Sequence, residues 1–321
     1  MTAPKPQRQF DLFIPLMRDL PLKDQRETME RPFFSLQKRK RLKPIEYQSA
    51  DGEVRVKVEA VPAYGMATIW DGDILIWAAS ALQRLKAEGI NDIPRELKTT
   101  AYDLLRSIHR DTGGKGYVEL KAALDRLATT TIFTSIRAKR GRDSRFSWLD
   151  EWSVEVDPIT EKPIALKIVL SNWVYEGIIN EKSVLTMHPD YFQLSGGLER
   201  ALYRIARKHA GDQEQGWTCR VSVLHEKSGS DSAPKEFGRM LRKIVDNNDL
   251  PEYNLAFTTT GDNASAIHFV RRSAAERAEI RAELEAEVQK NARRAREDLR
   301  AAEVDGRLEP FAHRRVTRTE S

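Results

Sequence analysis

The chain of 321 residues has one cysteine, Cys219. An internal disulfide and a cysteine-based zinc site are therefore excluded, and the usage suits a reducing cytoplasm. Long apolar runs are missing too: the longest, Ile74 to Leu82, is under half of the roughly 20 residues that cross a bilayer. The first thirty residues hold no signal-peptide core, so neither secretion nor membrane insertion is expected. Histidines number six, and none forms the His-x-His pair that a metal-dependent DNA-nicking enzyme would use. His225-Glu226 lacks the second histidine of a zincin, and Thr112-Gly113-Gly114-Lys115 lacks the spacing of a triphosphate-cradling loop. His188, before Pro189, and His209, on a predicted helix, read as structural or exposed side chains. With no acid-base pair or activated nucleophile at credible spacing, no catalytic residue, metal or cofactor is expected, which argues against an enzyme.

What is present is an ordinary globular composition, 40% apolar and 31% charged, long enough for two or three domains. Basic residues outnumber acidic ones by only 53 to 48, so an anionic partner would have to be met by clusters of charge. Residues 1–66 are interrupted by prolines and read as an N-terminal arm. Within it Lys38, Arg39, Lys40, Arg41 and Lys43 place five cations in six residues, either a phosphate-contacting element or a solvated run.

Residues 67–180 read as a first domain. Leu75, Ala78, Ala79, Leu82 and Leu85 recur at helical spacing, with Asp71 or Asp73 as cap and Gly89 as terminator. Asp71-Gly72-Asp73 is better explained by a turn and cap than by a metal pair, since no third ligand is in view. A second helix is expected after Pro94, through Leu97, Ala101, Leu104, Leu105 and Ile108, and a third from about Val118. β-branched and aromatic stretches follow, at 129–133, 146–156 and 164–170. Three helices and then a hairpin is the winged-helix order. Arg137, Lys139, Arg140, Arg142 and Arg145 crowd one connection around Gly141; such a tip can reach phosphates or the minor groove, or its strands can pair with a second subunit to make a homodimer through this domain.

The same order recurs over 181–272, with helices from about Gly197 and from Pro234, and a hairpin around Gly261-Asp262-Asn263. On a wheel centred on Phe237, Leu241, Ile244 and Val245 fall within about 80° of it, while Lys235, Arg239, Arg242 and Lys243 fall between about 140° and 240°. One face is core and the other cationic, as a recognition helix in a major groove requires; an ordinary helix with a solvated basic face has the same pattern. The fold class expected is α+β, two tandem winged-helix domains with the arm before them. From 273 to about 304 the chain is rich in Ala, Glu and Arg without Pro and with no Gly, which favours one long charged helix, with a disordered end.

Four strings carry a resemblance: Arg31-Pro32-Phe33-Phe34-Ser35-Leu36, Ala67 to Trp77, Leu198 to His209, and Glu226-Lys227-Ser228-Gly229-Ser230. In these the chain resembles the plasmid-encoded replication initiator protein A family of proteobacteria, over most of residues 8–272. The resemblance implies a cytoplasmic origin-binding protein with winged-helix domains and no covalent chemistry. It would bind double-stranded DNA at a plasmid origin, open it, and bring in host replication proteins such as the host initiator and helicase. A winged-helix repressor without replication activity, and less favourably a DNA-nicking enzyme, are the alternatives.

Overall fold

The computed structural model describes residues 13–14, 21–90, 92–138, 143–160 and 163–276, together with scattered positions between 282 and 297. It divides into two compact units, 1–271 and 272–321.

In chain order the first unit holds β1 (Leu22–Gln25), α1 (Arg26–Met29), β2 (Ile45–Gln48), β3 (Arg55–Glu59), α2 (Gly72–Ala87), β4 (Glu96–Thr99), α3 (Ala101–Ser107), α4 (Gly114–Thr129), β5 (Thr131–Thr134), β6 (Ser144–Phe146), β7 (Leu149–Val156) and β8 (Pro163–Leu170). It continues with α5 (Asn172–Ile179), β9 (Val184–Met187), α6 (Gly197–His209), β10 (Trp217–Arg220), α7 (Val221–Ser228), α8 (Pro234–Asn247), β11 (Tyr253–Thr259) and β12 (Ser265–Arg271). The architecture is mixed α and β, with small antiparallel sheets ordered β1-β9, β2-β3-β5-β6, β4-β8-β7 and β10-β12-β11.

Two of these sheets belong to the same arrangement met twice. Helix, strand, helix, helix, strand, strand describes α2-β4-α3-α4-β7-β8 and again α6-β10-α7-α8-β11-β12, and in both sheets the last strand lies between the other two. The first copy carries an insertion, β5 and β6, between its third helix and its hairpin. Of these, β5 pairs with β3 and β6 with β5, so half of the four-stranded sheet, β2 and β3, comes from the stretch read as an arm. Strand β1, from the same stretch, pairs with β9. The described part of the N-terminal stretch is thus built into the body of the unit.

Helix α2 is the centre of the core. Every residue from Gly72 to Leu82 is buried, as expected for a helix apolar around most of its circumference. Around it Phe34 stacks on Trp148 at 4.6 Å and Phe146 on Trp173 at 4.4 Å. Between α2 and α3 the structure corrects the sequence reading. Residues Glu96–Thr99 alternate between half-buried and buried, with Leu97 and Thr99 inward, and pair with β8. The helix begins only at Ala101, where Thr100 Oγ1 accepts from the Asp103 amide at 2.9 Å. A period of two ending on a good N-cap residue outcompetes a helix started one turn earlier.

Charge is also buried. Arg200 Nη1 lies 2.7 Å from Asp73 Oδ1, with both side chains at most 3% exposed, and Arg204 Nη2 lies 2.8 Å from Asp24 Oδ2. Asp71 receives Arg126 in a two-pronged contact at 2.7 and 2.8 Å. Both carboxylates of Asp71-Gly72-Asp73 are thus arginine partners. Nearby, burial pushes the Glu30 carboxyl up, but the His209 hydrogen bond and the charges of Arg31, Lys208 and Lys227 outweigh it and hold its pKa at about 2. A carboxyl lowered from an ordinary 4.5 gives stability that is complete above 4.5 and lost as pH falls towards 2. Thermal melts across this acid range are expected to show a steeper loss for the natural chain than for Glu30→Gln; parallel curves would contradict the assignment.

In the second unit Ser273 and Glu276 form a reciprocal cap, each side chain accepting the other's amide proton at 3.2 and 2.8 Å. A helix starts there, and Arg293 pairs with Glu297 one turn apart at 3.0 Å. The positions described between 282 and 297 are helical, and the remaining positions of the predicted long helix lie outside the described residues.

Candidate nucleic-acid interface

Helix α8 is held by Phe237 and Leu241, both fully buried, and by Ile244. It starts with Pro234 in its first turn and ends at Asn248, whose left-handed backbone donates its amide to Ile244 O. Lys235, Arg239, Arg242 and Lys243 are all exposed, on the side away from the core. Arg239 is forked onto Glu236 at 2.7 and 2.9 Å, which lowers the Glu236 carboxyl pKa and raises that of the guanidinium. The Arg242 guanidinium sits 5.8 Å from the centroid of Phe257, a half-exposed ring on β11. The cationic face of the helix thus borders the neighbouring hairpin at Phe257.

The turn before α8 is fixed from both sides. Helix α7 ends on Gly229 in the left-handed region, φ 68°, where a Cβ would come within 2.5 Å of Pro32 Cβ. His225 contacts the Ser232 carbonyl at 3.0 Å and lies 4.5 Å from the Phe237 ring. From the N-terminal stretch Arg41 Nη1 donates to the Gly229 carbonyl at 2.6 Å, and Gln37 donates to Asp231.

The run at 38–43 therefore does not act as one surface. Lys38, Arg39 and Lys43 are exposed; Lys38 lies 5.2 Å from the Trp70 ring and Arg39 bonds Gln37 at 2.6 Å. Lys40 is exposed too, but its ammonium donates to the carbonyls of Ala63 and Pro62. Arg41 is only 6% exposed and is withdrawn from any phosphate surface, because its guanidinium closes the orphan carbonyls of Gly229 and Lys43. Arg41→Ala is expected to cost about 1 kcal/mol of stability by removing a buried guanidinium from two part-buried carbonyls, measured by urea unfolding, and to leave the salt dependence of DNA affinity unchanged. A flatter salt slope with unaltered stability would return Arg41 to the surface set.

The arginine-rich connection joins β5 to β6 in the four-stranded sheet; the hairpin of the first repeated arrangement is β7 to β8. Arg137 is not a tip residue: it pairs with Glu27 at 2.9 Å, donates to Trp173 O at 2.8 Å and lies 3.9 Å from the Trp173 ring. Lys139, Arg140 and Arg142 lie outside the described residues. Arg145 is exposed on β6, 5.2 Å from the centroid of Phe133. Sequence reasoning missed this placement, although the alternation of β5 and β6 was the signal that Phe133 and Arg145 share a face. His188 accepts from the Asp190 amide at 3.3 Å, and His209 stacks on Trp217 at 4.5 Å while meeting Glu30 at 2.9 Å. Burial pushes the Cys219 thiol up to about 11, which makes it a poor nucleophile. Among the described residues no helix is long and apolar enough to cross a membrane.

Comparison with known proteins agrees with a DNA-replication context. The sequence profile of "Replication initiator protein A" matches residues 23–255, and the chain belongs to that family. A protein of Wigglesworthia glossinidia brevipalpis named "Putative replication protein" is 33% identical over 239 residues, covering 73% of this chain and 84% of its own length. In fold, the chain is similar to the crystal structure of domains 2 and 3 of RctB, with a TM-score of 0.54 at 12% identity, covering 75% of this chain and 95% of that one.

Proposed function

We propose that the chain is a plasmid replication initiator that binds repeated duplex sites at its origin, helps to open the adjacent duplex, and brings in host replication proteins such as the host initiator and helicase. The observation that carries the reading is the position of α8: it is the third helix of the second repeated arrangement, with Phe237 and Leu241 in the core and four exposed cations opposite. A helix so placed, preceded by a tight helix-helix turn and followed by a hairpin, can enter a major groove.

In this reading 67–180 and 181–272 are two winged-helix domains, supported by the twice-used element order and the shared strand order. The second reads base edges through α8. Lys38, Arg39 and Lys43 supply phosphate contacts that position the chain. The first domain is the candidate homodimer contact. No cofactor and no covalent step is required, and the place of action is the cytoplasm, where a plasmid replicates.

The test is an origin plasmid whose only initiator is this gene, established in a host that cannot otherwise maintain it. Maintenance is expected, with supercoiled origin DNA left uncut by the pure protein and divalent metal. Repeat binding without maintenance would leave a repressor, and nicking would leave the enzyme.

A further inference from the structure

The four-stranded sheet has one face in the core, through Ile45, Val56, Val58 and Ile132, all at most 3% exposed. Its other face is open. Register places Glu46, Lys57, Phe133 and Arg145 opposite one another in a single line across β2, β3, β5 and β6. Above part of this line lies a depression of about 580 Å³, lined by Glu46, Arg55, Lys57, Phe133 and Asp143 among others. None of its lining residues belongs to α8.

A solvated sheet face of mixed charge is the plain alternative, and the acids here are matched: Arg55 pairs with Asp143 at 2.9 Å and Lys57 with Glu59 at 2.7 Å. Two features go beyond it. Phe133 is only half-buried and sits on the open face, while Ile132 and Thr134 beside it fill the inner one. Arg145 lies over this ring and meets no carboxylate among the described residues. An aromatic ring flanked by cations on the two neighbouring strands, about 10 Å apart in all, suits a flat π-face bordered by negative charge. A paired duplex hides its base faces; a single strand offers them.

We propose that the open face of the four-stranded sheet binds single-stranded DNA, with Phe133 stacking on a base and Lys57 and Arg145 meeting the neighbouring phosphates. This rests on the reading of the chain as an initiator that opens DNA, but it uses a surface separate from α8.

The experiment titrates the full chain against labelled oligo-dT, the RNA of matching sequence, and an origin duplex. Phe133→Ala is expected to weaken oligo-dT binding about 5- to 150-fold, the range for removing one base stack, while duplex affinity holds and Phe133→Trp restores the binding. Arg145→Gln should weaken oligo-dT binding and flatten its salt slope by about 0.7. A natural chain that does not bind oligo-dT overturns the proposal, as do folded Phe133→Ala and Arg145→Gln variants that bind it normally. Stronger binding of the RNA, or an equal loss for single strand and duplex, also overturns it. The Arg239→Ala, Arg242→Ala variant separates the two readings: retained oligo-dT binding with abolished duplex discrimination supports both, and duplex discrimination that survives refutes the α8 reading while leaving this one standing.

Discussion

Asp73→Ala is expected to destabilise the chain by about 3 to 5 kcal/mol, the cost of leaving a buried charge without its partner. Arg200 is 3% exposed and holds its place through Asp73 and through the carbonyls of Leu194 and Phe192, at 2.7 and 3.0 Å. Arg110 reaches the same carboxylate at 3.3 Å from the other side. Burial pushes the Asp73 carboxyl pKa up against the pull of both guanidiniums, and a buried ion pair can be replaced as a whole at little cost even though losing either half alone is costly. Replacing both, as Asp73→Leu with Arg200→Met, should therefore recover much of the stability. Urea unfolding of the two singles and the double gives the coupling directly. Singles within about 1 kcal/mol of the natural chain would show that water reaches Arg200 and that the pair is not a structural joint. The joint matters to function because Asp73 lies in the first turn of α2 and Arg200 on α6, the leading helices of the two repeated arrangements. Variants of this pair test the body that presents α8, and their effect on DNA should follow stability.

That pairing was not readable from the chain, whereas α8 was. The core stripe of α8 recurs locally, so Phe237, Leu241 and Ile244 announce their face, and the cations opposite follow from helix geometry alone. The same holds for α2, where Leu75, Ala78 and Leu82 mark a helix, and for the hairpin around Gly261-Asp262-Asn263. Local periodicity does not name the partner across the fold. Asp73 reads as a helix cap because its arginine stands 127 residues away. Arg41 reads as one more cation in a run because burial against Gly229 leaves no local trace. Arg137 reads as a hairpin tip for the same reason, its partners being Glu27 and Trp173. Leu97 fits a helical stripe and a strand equally well, and pairing with β8 decides it. The four-stranded sheet joins segments distant in sequence, Val56 pairing with Thr134 and Glu59 with Thr131, so its open face could be assembled only from the fold.

Removing the two arginines of α8 together, Arg239→Ala and Arg242→Ala, is expected to abolish discrimination between origin repeats and random duplex, a change of about 2 to 6 kcal/mol at 1 to 3 for each base read. The two should not be equal. Arg239 must leave Glu236, with which it shares two hydrogen bonds, before it can reach a base, so part of its contact energy is offset. Among the described residues Arg242 leaves only a ring contact with Phe257, and Arg242→Ala should be the costlier single change. Glu236→Gln should free Arg239 and raise affinity for all duplexes. Neutralising Lys38, Arg39 and Lys43 should do the opposite of the helix variants: affinity falls alike for every sequence, the specific-to-random ratio holds, and the slope of log affinity against log salt flattens by about 0.9 for each phosphate that is no longer neutralised. Salt titrations on repeat and random duplexes distinguish these patterns. An unchanged footprint in the folded Arg239→Ala, Arg242→Ala protein would remove α8 from the site, and an unchanged salt slope in the lysine and arginine variant would leave 38–43 as the clamp that Arg41 makes on the turn before α8.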